Sequence, residues 1–370
     1  MNQNKEIMRY KFILLFGLLF FSPLCFFLFF QLRQAENNLL ETKYISSPSL
    51  TATIPNIPPL TLEMIFSPNH SWVNRFPSEK TINLIATGDV ILARSVNYQS
   101  IKINDFHWSF AKTRDILENA DLSIINLESP LIPSCPVVNS GMVFCGNEKN
   151  IEGLTFAGID VATLENNHIN NYGTAGIKNT IKLLNNSGIK VVRENYPQLI
   201  DIKDKKIAIL AYNDLANPQI ATISSVEEKI ASDVKTAKNK SDIVIVAFHW
   251  GTEYTEQPSK RQKMLAHLII DNGADLILGN HPHWIEPVEI YKSKLIVYAH
   301  GNFIFDQMWS EKTKQGVVGH YTFYDGQLID AQFLPVYIKD YGQPYFLEGE
   351  EKENILNNMK LASKKNIGEN

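Results

Sequence analysis

The chain has 370 residues, 44% of them hydrophobic and 20% charged, which excludes a disordered or low-complexity polypeptide and leaves room for one large domain or two small ones. Its formal net charge of -4 supplies no basic field, so nucleic acid is excluded as a partner held by bulk electrostatics. Any anionic substrate has to be captured by local groups.

Residues 1–11 carry Lys5, Arg9 and Lys11, after which Phe12 to Phe30 runs without a charge. At about 1.5 Å per residue, a helix of that length spans roughly 28 Å, close to a bilayer core. Residues 12–30 are therefore expected to form a transmembrane anchor, with residues 1–11 cytoplasmic, because Arg33 and Lys43 on the far side are interspersed with Glu36 and Glu41. A cleaved signal peptide is the alternative, although no small-x-small cleavage site follows the run, and Gln31, Leu32 and Arg33 suit an interfacial flank. Cys25 is a poor lipidation site, since Pro23 and Leu24 precede it. The expectation is a single-pass cell-membrane protein with its bulk outside the cytoplasm.

Residues 31–80 are polar and broken by Pro48, Pro55, Pro58, Pro59, Pro68 and Pro77, the composition of a semi-extended stalk. From Thr81, strand-type apolar runs (Ile82–Thr87, Leu122–Asn126, Val161–Leu164, Ile207–Tyr212, Ile243–His249, Leu276–Gly279, Leu295–Ala299) alternate with helix-type segments, which predicts an α/β layered domain over residues 81–345. Thr174–Asn186 and Gln257–Asn272 have apolar residues at helical spacing, and Gly188 and Gly273 follow them as stops. Gly316–Phe323 and Ala331–Val336 read as antiparallel strands, and residues 346–370 as a tail holding a loosely amphipathic helix. Cys135 and Cys145 flank a short loop in the exported part, where an oxidising compartment favours a disulfide between them.

Ligand-type side chains recur directly after the strands, where open α/β sheets place their ligands. They are Asp89, Asn126-Leu127-Glu128, Glu165-Asn166-Asn167-His168, His249, His281-Pro282-His283 and His300-Gly301-Asn302. Singly most are ordinary: an Asp after a strand usually caps a turn, and a histidine ending a buried strand is usually a core residue. As a series they outnumber the ligands of one four-coordinate ion. With oxygen and nitrogen donors and no thiolate, Asp89, Glu128, Asn167, His249, His281 and His283 suit two divalent ions of Zn, Mn or Fe type. Arg94 offers a guanidinium to a carboxylate or phosphate, with a plain ion pair equally compatible.

The strings GDVILAR, INLESPL, NNHINNYG, FHWGTEY, GNHPHWIEPVEIY and HGNFIFDQ, between Gly88 and Gln307, resemble the motif series of the CapA family of poly-γ-glutamate capsule biosynthesis proteins, which is similar to calcineurin-like metallophosphoesterases. The resemblance implies a sandwich of two mixed sheets flanked by helices. It assigns the same six residues to metal, with Glu128 bridging, and makes His168 the acid or transition-state donor. It leaves Asn302 to hold substrate or a ligand in place, and Asn166 is a further candidate for substrate binding. The chain departs from the pattern at Ile91, where the wider phosphoesterases carry a histidine, and at Glu165, Asn171 and His300, where the CapA pattern has Ala, Asp and Leu. Two functions follow as expectations: a surface hydrolase acting on a phosphoester or amide of an anionic polymer, or a non-catalytic polymer-binding subunit whose membrane helix docks synthase or export partners.

Overall fold

The computed structural model describes Gln31, Gln34, residues 56–215, residues 225–366 and Gly368. The chain divides into two units, Met1–Asn56 and Ile57–Asn370. The expected anchor, residues 12–30, lies outside the described residues. Among those described, no helix is long and apolar enough to cross a membrane.

The second unit is a mixed α/β fold built on two sheets. In spatial order the larger sheet runs β16 (Gln343–Phe346), β15 (Gln327–Lys339), β14 (Gln315–Tyr324), β1 (Thr81–Val90), β2 (Leu122–Leu127), β5 (Val161–Thr163) and β6 (Lys190–Val192), with β13 (Asn302–Ile304) also paired to β1. The smaller runs β11 (Val288–Tyr291), β12 (Lys294–Val297), β10 (Leu276–Asn280), β9 (Ile243–Trp250), β8 (Lys205–Asp214) and β7 (Gln198–Ile202), and a short ladder joins β3 (Leu131–Ile132) to β4 (Gly146–Asn147). The two large sheets face each other across one apolar layer, in which Leu84 and Ile124 meet Ile209, Ile245 and Leu278.

Helices cover both outer faces. Against the larger sheet lie α2 (Arg94–Ile103), α3 (Arg114–Glu118), α4 (Ile151–Phe156) and α5 (Gly173–Asn186), which bury Val96, Leu117, Leu154, Ile177 and Leu184. Against the smaller lie α6 (Ser225–Lys238) and α7 (Lys260–Asp271) through Ile230, Val234, Leu265 and Ile269. The second expected helix starts at Lys260 rather than Gln257, because Ser259 and Gln262 close a capping box there.

Two segments expected outside the domain belong to its core. Within residues 57–80, read as stalk, a helical turn, α1 (Leu62–Ile65), buries Leu62 and Ile65 with Leu60 in the layer between the sheets. Its neighbours Trp72 and His70 both bond the buried Asp330 carboxylate, at 3.2 and 2.8 Å. The tail forms α8 (Gly349–Asn366), whose Ile355 and Met359 enter the same layer. Its Ser363 Oγ accepts from the backbone N–H of Val288 at 3.0 Å. Proline content concealed the first segment, and a weak apolar stripe the second.

Candidate metal centre

The parallel strands of both sheets end at one edge, and their loops meet there. β1 and β2 pair through Ala86 and Ile124, then through Asp89 and Asn126, so the register shifts at Thr87-Gly88. That irregularity re-aims Asp89 into the space between the sheets. Gly88 permits it, since a Cβ at Gly88 would lie 2.1 Å from the carbonyl oxygen of Gly301. β10 then releases the chain into His281-Pro282-His283, where His281 has φ 98° and His283 φ 57°. Backbone of this kind in non-glycine residues costs about 1 to 3 kcal/mol each and persists where surroundings over-determine it, commonly at functional sites.

Three overlapping groups can each place their ligand atoms within 4.8 Å of one another: Glu128 with His249 and His281, Glu253 with His281 and His283, and Asp89 with Glu128 and His283. Five of the six expected ligands therefore converge. The sixth, Asn167, places Oδ1 2.7 Å from His249 Nε2. Glu253 is a residue the sequence reading missed. It sits in a loop after β9 and not at a strand end, and only its position within FHWGTEY marks it.

Asp89 is fully buried, and its Oδ1 accepts from Asn126 at 2.8 Å while Oδ2 lies 3.1 Å from His283 Nδ1. Burial opposes its charge, yet the hydrogen bond and charge of His283, with His249 and Asn126, hold the carboxyl down at about 2. Glu128 is fully buried as well, and neither of its oxygens has a hydrogen-bond partner. Burial, then the charges of Asp89 and Glu253, push its carboxyl well up. Burial, then neighbouring imidazoles, drive His249 well below the ordinary range and His281 to about 3, so both rings are neutral with lone pairs to offer.

An orphaned carboxylate beside neutral imidazoles and an ionised aspartate is the donor set a divalent cation satisfies. The residues therefore fit a metal ion.

The remaining expected site residues take other places. Asn166 Nδ2 donates to Asn126 Oδ1 at 3.0 Å and to the Leu127 carbonyl at 2.9 Å, and its Oδ1 accepts from the Ile169 N–H at 2.9 Å. With both ends of its amide engaged it braces Asn126 and the loop. Asn302 Oδ1 lies 2.9 Å from His283 Nδ1, and its Nδ2 donates to the Thr313 carbonyl at 2.9 Å. It braces His283, a candidate ligand. Arg94 pairs with Asp306 and donates to the Gly141 carbonyl at 3.0 Å, between the rings of Phe144 and Phe305. Its charge is already matched.

His168 is 8% exposed, and its Nδ1 lies 3.0 Å from Asn171 Oδ1. Burial lowers its pKa. Cys135 and Cys145 form a disulfide beside it. His300 stands behind the centre, between the Gly279 carbonyl at 3.0 Å and the Tyr321 hydroxyl at 2.8 Å.

A family model described as "Bacterial capsule synthesis protein PGA_cap" matches residues 83–307, which include every residue of the centre. The chain belongs to this family. It is 28% identical over 304 residues to the capsule biosynthesis protein CapA of Bacillus anthracis, an alignment covering 74% of this chain and 73% of that one. It is 32% identical over 191 residues to the PGA biosynthesis protein CapA of Bacillus subtilis, covering 47% and 50%. A solved structure described as a novel phosphatase of Mycoplasma pneumoniae aligns at a TM-score of 0.46 and 15% identity over 70% of this chain and 94% of that one, a likeness that decides nothing about activity. Within the family's span, Ile91 is a fully buried apolar residue packed on Ala93, Phe144 and Phe305, so that position supplies no ligand.

Proposed function

We propose that the chain is a membrane-anchored protein of poly-γ-glutamate capsule or envelope-polymer biosynthesis or export. In this reading its fold is a calcineurin-like metallophosphoesterase sandwich, and its metal centre cleaves a phosphoester or amide bond of an anionic substrate outside the cytoplasm. Family membership and the printed names of the two Bacillus relatives support the capsule setting. The observation that carries the catalytic part is Glu128, a buried carboxylate whose oxygens have no hydrogen-bond partner, set among Asp89, His249 and His281. Leaving a buried acid unpaired is costly unless a cation completes it.

In this reading Asp89, Glu128, Asn167, His249, Glu253, His281 and His283 hold two divalent ions, of Mn, Zn or Fe type. Bound there, such ions supply Lewis acidity toward an oxyanion near neutral pH. The chain's own groups do the positioning. Asn126 orients Asp89, and Asn302 orients His283. His168 exchanges a hydrogen bond or proton with the substrate.

A second reading, a polymer-binding subunit of a synthase or export complex whose membrane helix docks its partners, is favoured by Ile91, since that position, a histidine in the wider phosphoesterases, supplies no ligand here.

Elemental mass spectrometry of the purified full chain, with the His281→Ala, His283→Ala variant beside it, tests both. About one or two ions per chain, lost in the variant, together with hydrolysis of a phosphodiester or γ-glutamyl peptide probe, is the expected result. No metal after reconstitution with Mn or Zn would sink the proposal. Metal without hydrolysis would leave the binding subunit.

A further inference from the structure

His168 is held by a device built from two distant pieces of chain. Asn171 Oδ1 accepts the backbone N–H of Phe144 at 2.6 Å, and the same oxygen faces His168 Nδ1 at 3.0 Å. A backbone N–H only donates, so the first contact fixes which end of the Asn171 amide is oxygen. The second contact then requires a proton on His168 Nδ1. Phe144 also stacks on the imidazole, with ring centroids 3.9 Å apart and planes 23° from parallel. The Phe144 ring also lies 4.8 Å from the Arg94 guanidinium and meets Phe305 edge-on at 5.8 Å.

Phe144 sits in the segment from Leu131 to Gly146, which has no charged residue and leaves Val137, Met142 and Val143 more than half exposed. Phe144 itself is buried against Ile91, Ala93 and Phe305, at the inner end of this exposed loop. The next residue, Cys145, is joined to Cys135, so the disulfide closes the loop one residue from the ring that touches His168.

We propose that Asn171 and the disulfide-clipped Phe144 are positioning residues of His168: they keep its Nδ1 protonated and its ring plane fixed, which leaves Nε2 as the one nitrogen that exchanges a proton or hydrogen bond with bound substrate. The substrate part rests on the hydrolytic reading above, whereas the tautomer and the ring orientation do not. The Asn171 amide performs this as a neutral acceptor, where the resemblance pattern has a carboxylate. It orients the ring without adding charge next to the metal centre.

The test is nuclear magnetic resonance of the full chain in detergent with 15N-labelled histidine rings, the His168 signals being assigned by their loss in His168→Gln. The wild type is expected to show the Nδ1–H coupling pattern. Asn171→Asp should retain it. Asn171→Leu and the Cys135→Ala, Cys145→Ala pair should lose it to a mixture of tautomers or to exchange broadening.

An Nε2–H pattern in the wild type, or an undiminished Nδ1–H pattern in Asn171→Leu, would overturn the inference. Should Asn171→Leu not fold, the wild-type and Asn171→Asp spectra still decide the tautomer. Because the spectra need no turnover, an Nδ1–H wild type without hydrolysis removes the proposed activity and leaves the positioning intact. Where hydrolysis is measured, Asn171→Leu should lower kcat about tenfold or more with KM little changed.

Discussion

Glu128 and Glu286 are both buried acids, but their surroundings assign them different work. Glu128 has no hydrogen-bond partner, and burial with the charges of Asp89 and Glu253 pushes its carboxyl well up, so a bound cation is what would favour its ionised form. Glu128→Gln keeps the shape of the neutral acid. Its metal-free stability should stay within about 1 kcal/mol of wild type, while the gain on adding Mn or Zn, about 2.7 kcal/mol at a hundredfold excess over Kd, should vanish. Thermal unfolding with and without chelator measures both; an equal gain in the variant would remove Glu128 from the ligand set. Glu286 instead accepts from Gln262 at 2.8 Å and Thr255 at 3.2 Å, and burial, only partly offset by those two bonds, raises its pKa from 4.5 to about 8. A raised folded-state pKa stabilises fully below about 4.5, and that contribution is lost as pH rises to about 8. Urea midpoints taken from pH 5 to pH 8 should therefore fall more steeply for wild type than for Glu286→Gln, and parallel profiles would show that Glu286 ionises normally.

The strands that place the centre are the ones most legible from the chain. β1, β2, β9 and β10 are buried on both faces, so each is a largely apolar run with its candidate ligand at or just beyond its end. β7 is a half-exposed edge strand of mixed polarity, and β13 is three residues long and exists through its pairing with β1, so neither has a local signature. The site divides in the same way. Its candidate ligands other than Glu253 lie at or just after strand ends and are readable, whereas the Arg94–Asp306 pair and the Asn166 brace depend on contacts between remote segments. Gly88 shows how narrowly the elements are set. In Gly88→Ala the new Cβ meets backbone, which cannot rotate away, so β13 has to move and carry Asn302 with it. The variant should lose about 1 to 3 kcal/mol of stability and at least tenfold in metal affinity, read by unfolding and by metal titration; unchanged affinity would mean that β13 does not steady His283. The disulfide is a separable element: closing a loop with a sequence separation of 10, it should contribute about 2 to 3 kcal/mol, measured as the shift on mutating both cysteines to alanine.

The layer between the sheets is completed at its margin by the two segments that sequence composition places outside the domain. Leu60, Leu62 and Ile65 come from the chain before β1, and Ile355 and Met359 from α8 after β16. The segments also touch each other, through Lys364 and Glu63 at 3.1 Å, an exposed pair that contributes little beside the apolar contacts. Burial of a large aliphatic side chain is worth about 1.5 to 3 kcal/mol, so removing the first three forfeits several kcal/mol and uncovers the apolar residues they pack on. Domain stability is commonly only about 5 to 15 kcal/mol in total. A fragment beginning at Thr81, the boundary that proline content suggests, should thus be much less stable than one beginning at Ile57, with a lower urea midpoint and a tendency to aggregate through the exposed layer. A fragment ending at Phe346 should fail in the same way, since it loses Ile355, Met359 and the Ser363 acceptor of the Val288 N–H. Equal urea midpoints for the Ile57 and Thr81 fragments would show that the first segment merely rests on the domain. A deficit of several kcal/mol would make it part of the fold that holds β1, and with β1 Asp89, in place.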